Sequence, residues 1–152
     1  MRISICAVGR ARGNPAAEIC QTYLQRLTWP VEIHEVEVRK NLTGEKLAMG
    51  EAELLRAAMP AQAVVVALDG KGKAFSSEAF AQRLGRWRDD GVADLAFAIG
   101  GANGLHPDLP RTADLVLSLG TMTWPHLLAR AMLVEQLYRA QTILAGHPYH
   151  RA

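Results

Sequence analysis

Glycines in three places raise the first chemical question about this 152-residue chain. They lie in Asp69-Gly70-Lys71-Gly72-Lys73, in Gly100-Gly101-Ala102-Asn103-Gly104, and in Gly120-Thr121-Met122-Thr123-Trp124-Pro125-His126. Each stretch directly follows a short apolar run: VVVAL (64–68), LAFAI (95–99) and LVLSL (115–119). Glycine lets the backbone approach a ligand closely and leaves N–H donors free. In parallel α/β sheets, ligands bind in the loops after the carboxyl ends of strands. Loops of this kind, opening on one sheet edge, would together form a pocket. The segment IGGANG lacks the G-x-G-x-x-G spacing, does not follow the first strand, and has no acid about 20 residues on to hold a ribose. No Gly-Lys-Ser/Thr opens a helix, so a phosphate loop is also absent. Backbone groups and apolar side chains remain, and they suit an adenosine-like ligand without a polyphosphate.

Histidines gather late in the chain, at His126, His147 and His150, with His34 and His106 elsewhere. No Cys or nearby carboxylate completes a tetrahedral set around His147 and His150, so a substrate-facing or inter-subunit role fits better than a metal. Arg10, Arg12, Arg139 and Arg151 lie nearest the glycine loops or the chain ends and are candidates for phosphate contacts. Ser4, Ser76, Ser77 and Ser118 have no nucleophile-elbow context. Cys6 and Cys20 sit in apolar patterns where free cysteine acts as a small hydrophobe. That usage fits a reduced, intracellular protein.

The elements that must position these residues follow from composition and pattern. Hydrophobic residues make up 49% and charged residues 21%, with a net charge of +2, which excludes a chain built around a basic tail. A single domain over residues 1–152 is expected, able to bury roughly 70% of its unfolded surface without disulfide or metal. Met1-Arg2-Ile3-Ser4-Ile5 leads straight into a strand with no signal-peptide core, and no run of 18 apolar residues occurs, so a cytoplasmic protein is expected. Residues 3–8 read as a buried strand. A helix over 16–27 is capped by Asn14 and Pro15, with Ile19, Tyr23, Leu24 and Leu27 facing inward. VEIHEVEV (31–38) alternates but slips phase between His34 and Glu35, which predicts an edge strand with a bulge at the slip. Further helices are predicted over 45–59, after Ser76 and Ser77 with Phe80, Leu84 and Trp87 on one face, and from Pro125 to Leu144. Strands alternating with helices predict an α/β fold, a parallel sheet with helices on both faces. The run LLARAMLV (127–134) is apolar nearly all round, broken only by Arg130. A surface helix needs one apolar stripe, so this one predicts cover on more than one side. A second copy of the chain would supply it; the alternative is burial as a central helix within one chain.

LDGKGKAFSSEAFA (68–81), FAIGGANGL (97–105), LSLGTMTWPHLLARAMLVEQLYRA (117–140) and the ending HPYHRA resemble the ribosomal RNA large subunit methyltransferase H family, of the SPOUT class. The likeness covers essentially the whole chain, more loosely in the first third. Arg10 and Arg12 stand where many members carry lysine, and Asn103 where an acid is frequent. The resemblance implies a C-terminal trefoil knot, a homodimer and S-adenosyl-L-methionine as cofactor. It also implies methyl transfer to N3 of a pseudouridine in helix 69 of 23S rRNA within the ribosome, with neither membrane nor DNA as partner. By motif position the cofactor would be held by Leu68, Gly100, Gly101, Gly104, Thr121, Met122, Thr123, Trp124, Pro125 and His126. His126, His150 and Arg151 are the candidates for catalysis, and Arg10, Arg12, Arg139, Tyr149, His150 and Arg151 for substrate binding. Few cations would line the pocket within one chain, so Arg10 or Arg12 of a second copy is expected to complete it. The rival readings are a nucleotide-dependent oxidoreductase and a non-catalytic ribosome-binding protein.

Overall fold

The computed structural model describes residues 1–151; Ala152, the last residue of the HPYHRA ending, lies outside them. In chain order the elements are β1 (Arg2–Val8), α1 (Pro15–Leu24), β2 (Val31–Val36), α2 (Gly44–Ala58), β3 (Val64–Ala74), α3 (Ser77–Asp89), β4 (Asp94–Ile99), α4 (Asp108–Thr112), β5 (Leu115–Ser118) and α5 (His126–Leu144). A short 3-10 turn, Pro148–His150, closes the described chain. The strands form one parallel sheet in the order β2-β1-β4-β3-β5, with all their carboxyl ends at one edge.

Because side chains alternate along a strand, one sheet face carries Ile3, Ile5 and Phe97 and buries them under α1, α3 and α5, through Cys20, Leu84, Leu133 and Leu137. The other face carries Cys6, Val8 and Ala98 and packs on Leu55 of α2 and Leu109 of α4. Helices therefore cover both faces, as a parallel sheet requires. Burial pushes the Cys6 thiol up to about 11, so it is an inert core residue at neutral pH. Asn14 accepts from the N–H of Ala16 and Ser76 from that of Ala79, so both sequence-read caps are in place.

Four local expectations change. The first helix ends at Leu24 rather than 27, and Ile19 is exposed; Ala16 and Cys20 are its buried residues, with Tyr23, Leu24 and Leu27 packed against the core beside them. The edge strand β2 has no bulge, since its pairing with β1 runs unbroken from Ile3↔Val31 to Val8↔Val36. Its phase slip has another cause. Val31 and Ile33 pack against the core on one face and Val36 on the other. Glu35, on the face of Val31 and Ile33 but still 36% exposed in its side chain, pairs with buried Arg130. Third, β3 does not end at Leu68. Both Leu68 and Lys73 pair with Leu117, so 69–72 bulge out and the strand resumes to Ala74. A Cβ at Gly72 would lie 2.6 Å from the carbonyl oxygen of Val116, which explains why glycine stands at this crossing. Fourth, α4 was not anticipated; it is five residues long with a proline inside, too short for periodicity to register.

Candidate functional site

A cavity of about 870 Å³ opens over the carboxyl ends of β4 and β5 and the start of the bulge within β3. Its walls are Leu68–Gly70, the 99–105 loop and the 119–126 loop, so all ten residues expected to hold the cofactor line one space. The bulge residues Lys71–Lys73 do not reach it.

The middle loop is a tight backbone cradle. The Gly104 N–H donates to the Gly101 carbonyl at 3.0 Å, and Gly104 has φ +79°. A Cβ on Gly100 would fall 2.5 Å from the Gly104 carbonyl carbon, so only glycine permits this closure. A Cβ on Gly101 would point away from the cavity, 3.1 Å from Val8 Cγ1 and 3.7 Å from Glu51 Oε1. Burial holds the Glu51 carboxyl above the usual carboxylate range.

The last loop is pinned at both ends. Ser118 accepts from the Gly120 N–H at 3.2 Å, and its hydroxyl faces the carbonyls of Gly120 (2.9 Å) and Gly70 (3.3 Å), tying two walls together. The Trp124 indole donates to the Leu119 carbonyl at 3.3 Å while its ring stays 39% exposed, and Met122 is 73% exposed. Both residues line the cavity. Helix α5 then starts at the cavity with Pro125 as cap and no side-chain cap bond, leaving its first N–H groups open there. The ring of His126 leans on the end of β1: a Cβ at Gly9 would stand 3.4 Å from its Nε2.

That contact bears on the two arginines near the chain's start. The turn carrying Arg10 and Arg12 follows Gly9, which adjoins the cavity-wall residue His126 within a single chain, although neither arginine lines the cavity itself. Arg10 pairs with Glu37 at 3.2 Å. Arg12 is exposed and has no acidic partner among the described residues.

The tail makes its contacts elsewhere. Tyr149, His150 and Arg151 do not line the cavity. Instead the Tyr149 hydroxyl lies 3.1 Å from Glu135 Oε1 and 3.3 Å from the Tyr23 hydroxyl, and its ring meets Tyr138 edge-on at 4.7 Å. Burial, with the Tyr23 and Glu135 contacts, raises the Tyr149 phenol well above its ordinary value. Arg139 is no free phosphate ligand: it bonds Glu135 at 2.7 Å and lies over the Tyr149 ring at 5.2 Å. His147 accepts from the Tyr149 N–H, and the buried Nδ1 of His150 has no partner. This clamp sits farther along α5, beside a second, apolar hollow of about 450 Å³ lined by Ile19, Tyr23, Phe75, Leu119, Leu128 and Met132. Leu119 and Gly120 border both hollows.

Sequence reasoning missed Glu35, Glu51, Glu135 and Arg130. The signals for Glu35 and Arg130 were present: an acid breaking a strand's alternation and the single charge in an apolar helical run. Among the described residues no group of three or more His, Cys, Asp or Glu side chains comes together, and no helix is long and apolar enough to cross a membrane.

A family model described as predicted SPOUT methyltransferase matches residues 1–150. A ribosomal RNA large subunit methyltransferase H from Rhodospirillum centenum is 58% identical over 152 residues, covering both chains fully. Among solved structures, a probable methyltransferase from Bordetella pertussis superposes with a TM-score of 0.61 at 14% identity, covering 91% of this chain and 95% of that one. The SpoU methyltransferase AviRb from Streptomyces viridochromogenes, solved with the cofactor AdoMet, gives 0.51 at 13% identity, covering 92% and 58%. Identities this low speak for the fold alone.

Proposed function

Because the chain belongs to the SPOUT methyltransferases, and within them to the ribosomal RNA large subunit methyltransferase H family, we propose that it transfers a methyl group from S-adenosyl-L-methionine to N3 of a pseudouridine in helix 69 of 23S rRNA. The observation that carries this reading is the cavity of about 870 Å³ walled by the β3 bulge and by backbone-rich loops at the carboxyl ends of β4 and β5. Its size lies within the range of small-molecule sites. Its donor set fits the cofactor: open N–H groups at the start of α5 for a carboxylate, the folded 100–104 loop for close backbone approach, and Leu68, Leu119 and Trp124 for an apolar purine.

When bound, the cofactor supplies an already electrophilic methyl group, so the protein must orient the acceptor and take up its proton. The N3 imide is a poor nucleophile until deprotonated. His126, on the cavity wall against Gly9, is the group placed to accept that proton at Nε2 or Nδ1. Arg10 and Arg12, on the turn beside it, hold RNA phosphate, and His150 and Arg151 act from the tail. A net charge of +2 suits an enzyme that reads the shape of an assembled ribosome rather than free RNA.

The protein acts as a homodimer through α1 and α5, with the apolar hollow between them covered by a second copy. The exposure of Ile19 (42%) and Leu128 (37%) on its rim supports this. The trefoil knot of the class is supported by the chain path. Strand β5 lies at one sheet edge, yet α5 packs on α1 toward the other, so the chain crosses back over the strand ends.

Calorimetry with S-adenosyl-L-methionine and with NAD, together with mass spectrometry of 23S rRNA from cells with and without the chain, tests the reading. Saturable binding of the first ligand alone, and loss of one methyl mark on a helix 69 pseudouridine, are expected. An unchanged rRNA methylation pattern overturns it.

A further inference from the structure

Arg130 is the only charged side chain buried among the described residues, at 2% exposed. It lies one helical turn after His126 on α5. Its Nη1 is 2.5 Å from Glu35 Oε2, and its Nη2 donates to the carbonyl of Gly9 at 3.1 Å, with that of Val8 at 3.4 Å. The same Glu35 oxygen accepts the Ala11 N–H at 2.7 Å. One guanidinium and one carboxylate thus grip Val8, Gly9 and Ala11, the end of β1 and the start of the turn that carries Arg10 and Arg12. Gly9 has φ +91°, so the chain swings sharply where it is held.

Stability is a poor explanation for this pair. Taking the Arg130 guanidinium out of water is costly, while its partner Glu35 keeps 36% of its side chain exposed. Well-packed apolar replacements of ion pairs with a buried member are often as stable or more so. Here the cost is compounded, since Arg130 Nε is buried with no partner and Glu35 interrupts the apolar face of β2. What an apolar replacement cannot supply is the directional hold on three backbone groups of the turn.

We propose that Arg130 and Glu35 are positioning residues that fix the arginine-bearing 9–12 turn against the first turns of α5, and so set the RNA-holding side of the site in register with His126 and the cofactor loop. The proposal rests on the methyltransferase reading above. Neither residue lines the cavity, so both act through the turn rather than on the reacting atoms.

The test compares the full-length wild type with the double variant Arg130→Met/Glu35→Leu and with Glu35→Gln, each checked first for cooperative unfolding. Three quantities are read: cofactor affinity by calorimetry, kcat and KM for methylation of ribosomes, and hydrogen exchange at the Gly9 and Ala11 amides. Expected are unchanged cofactor affinity, faster exchange confined to the turn, and kcat/KM for ribosomes down by about tenfold or more, the loss that misplacement of a site group brings. Arg130→Lys, which keeps charge but not the fork, should recover only part of that loss. If the double variant does not fold, the same measurements on Glu35→Gln decide. A folded variant with exchange at the turn and kcat/KM both at wild-type values overturns the proposal, as does a loss of kcat/KM matched by an equal loss of cofactor affinity. If wild type itself neither binds cofactor nor methylates ribosomes, the functional reading has failed, and the exchange data still decide whether the pair holds the turn.

Discussion

Single atoms decide what the two ends of α5 can do. At the tail, the Tyr149 hydroxyl joins Glu135 and Tyr23, while its ring is sandwiched between Tyr138 and the Arg139 guanidinium. Tyr149→Phe keeps the ring and removes the bonds, so global stability should fall by only about 1 kcal/mol. Loosening His150 and Arg151 should reduce methylation several-fold while calorimetry shows unchanged cofactor affinity; full activity in a folded variant would make the hydroxyl dispensable. At the cavity, Gly100→Ala puts a methyl group 2.5 Å from backbone carbon of Gly104, which no rotamer relieves. The 100–104 cradle must open, and cofactor affinity should drop at least about tenfold, a cost near 1.4 kcal/mol. Retained affinity would remove the cradle from the site. Gly101→Val acts differently, because its side chain meets Val8 and Glu51 rather than the cavity, and any loss there comes from displacing the loop.

Among elements, β2 shows how charge and register combine. Burial alone would raise the Glu35 carboxyl, but the hydrogen bonds from Arg130 and the Ala11 N–H, and the nearby arginine charges, outweigh it and hold the carboxyl below its ordinary 4.5. A carboxylate depressed in the folded state stabilises at pH values above 4.5, and that contribution fades as pH falls through the folded value. The urea midpoint of wild type should therefore exceed that of Glu35→Gln at pH 7, and the gap should shrink below 4.5. A gap that persists or widens in acid would contradict the assigned charge state. The same strand shows where sequence reading succeeds and fails. Apolar runs and side-chain caps are local signals, so β1, β3, β4, β5 and the starts of α1, α3 and α5 could be read directly. The three glycine loops were legible for the same reason, and they do share one cavity. The pairing of Glu35 with Arg130 spans 95 residues, and no local pattern encodes it; the acid therefore looked like a bulge. The tail's contacts within its own chain were hidden for a related reason. Tyr149 reaches Tyr23 across 126 residues, a contact only the assembled fold can set.

At the scale of the whole molecule, the geometry of one chain leaves the tail and the cavity apart. Tyr149 docks at Tyr23 and Glu135, at one end of the apolar hollow, and Leu119 and Gly120 stand where that hollow meets the cofactor cavity. A two-fold interface is isologous, so the patch on one copy contacts the same patch on the other with its ends exchanged. If the two-fold axis of the homodimer proposed above passes through the hollow, each chain's His150 and Arg151 would be carried toward the partner's Leu119–Gly120 edge, and each site would be completed in trans. Leu128→Glu with Met132→Glu should yield a monomer in sedimentation analysis that keeps its fold and loses methyl transfer. The decisive measurement mixes two inactive proteins, one carrying Gly100→Ala and one lacking residues 149–152. Free exchange makes about half of the dimers hybrid, since a two-fold dimer pairs its chains at random. Each hybrid holds one site with both defects and one with neither, so activity should reappear on mixing. Absence of recovery after confirmed exchange would show that the tail serves the cavity of its own chain, and the covered face of α5 would then be structural only.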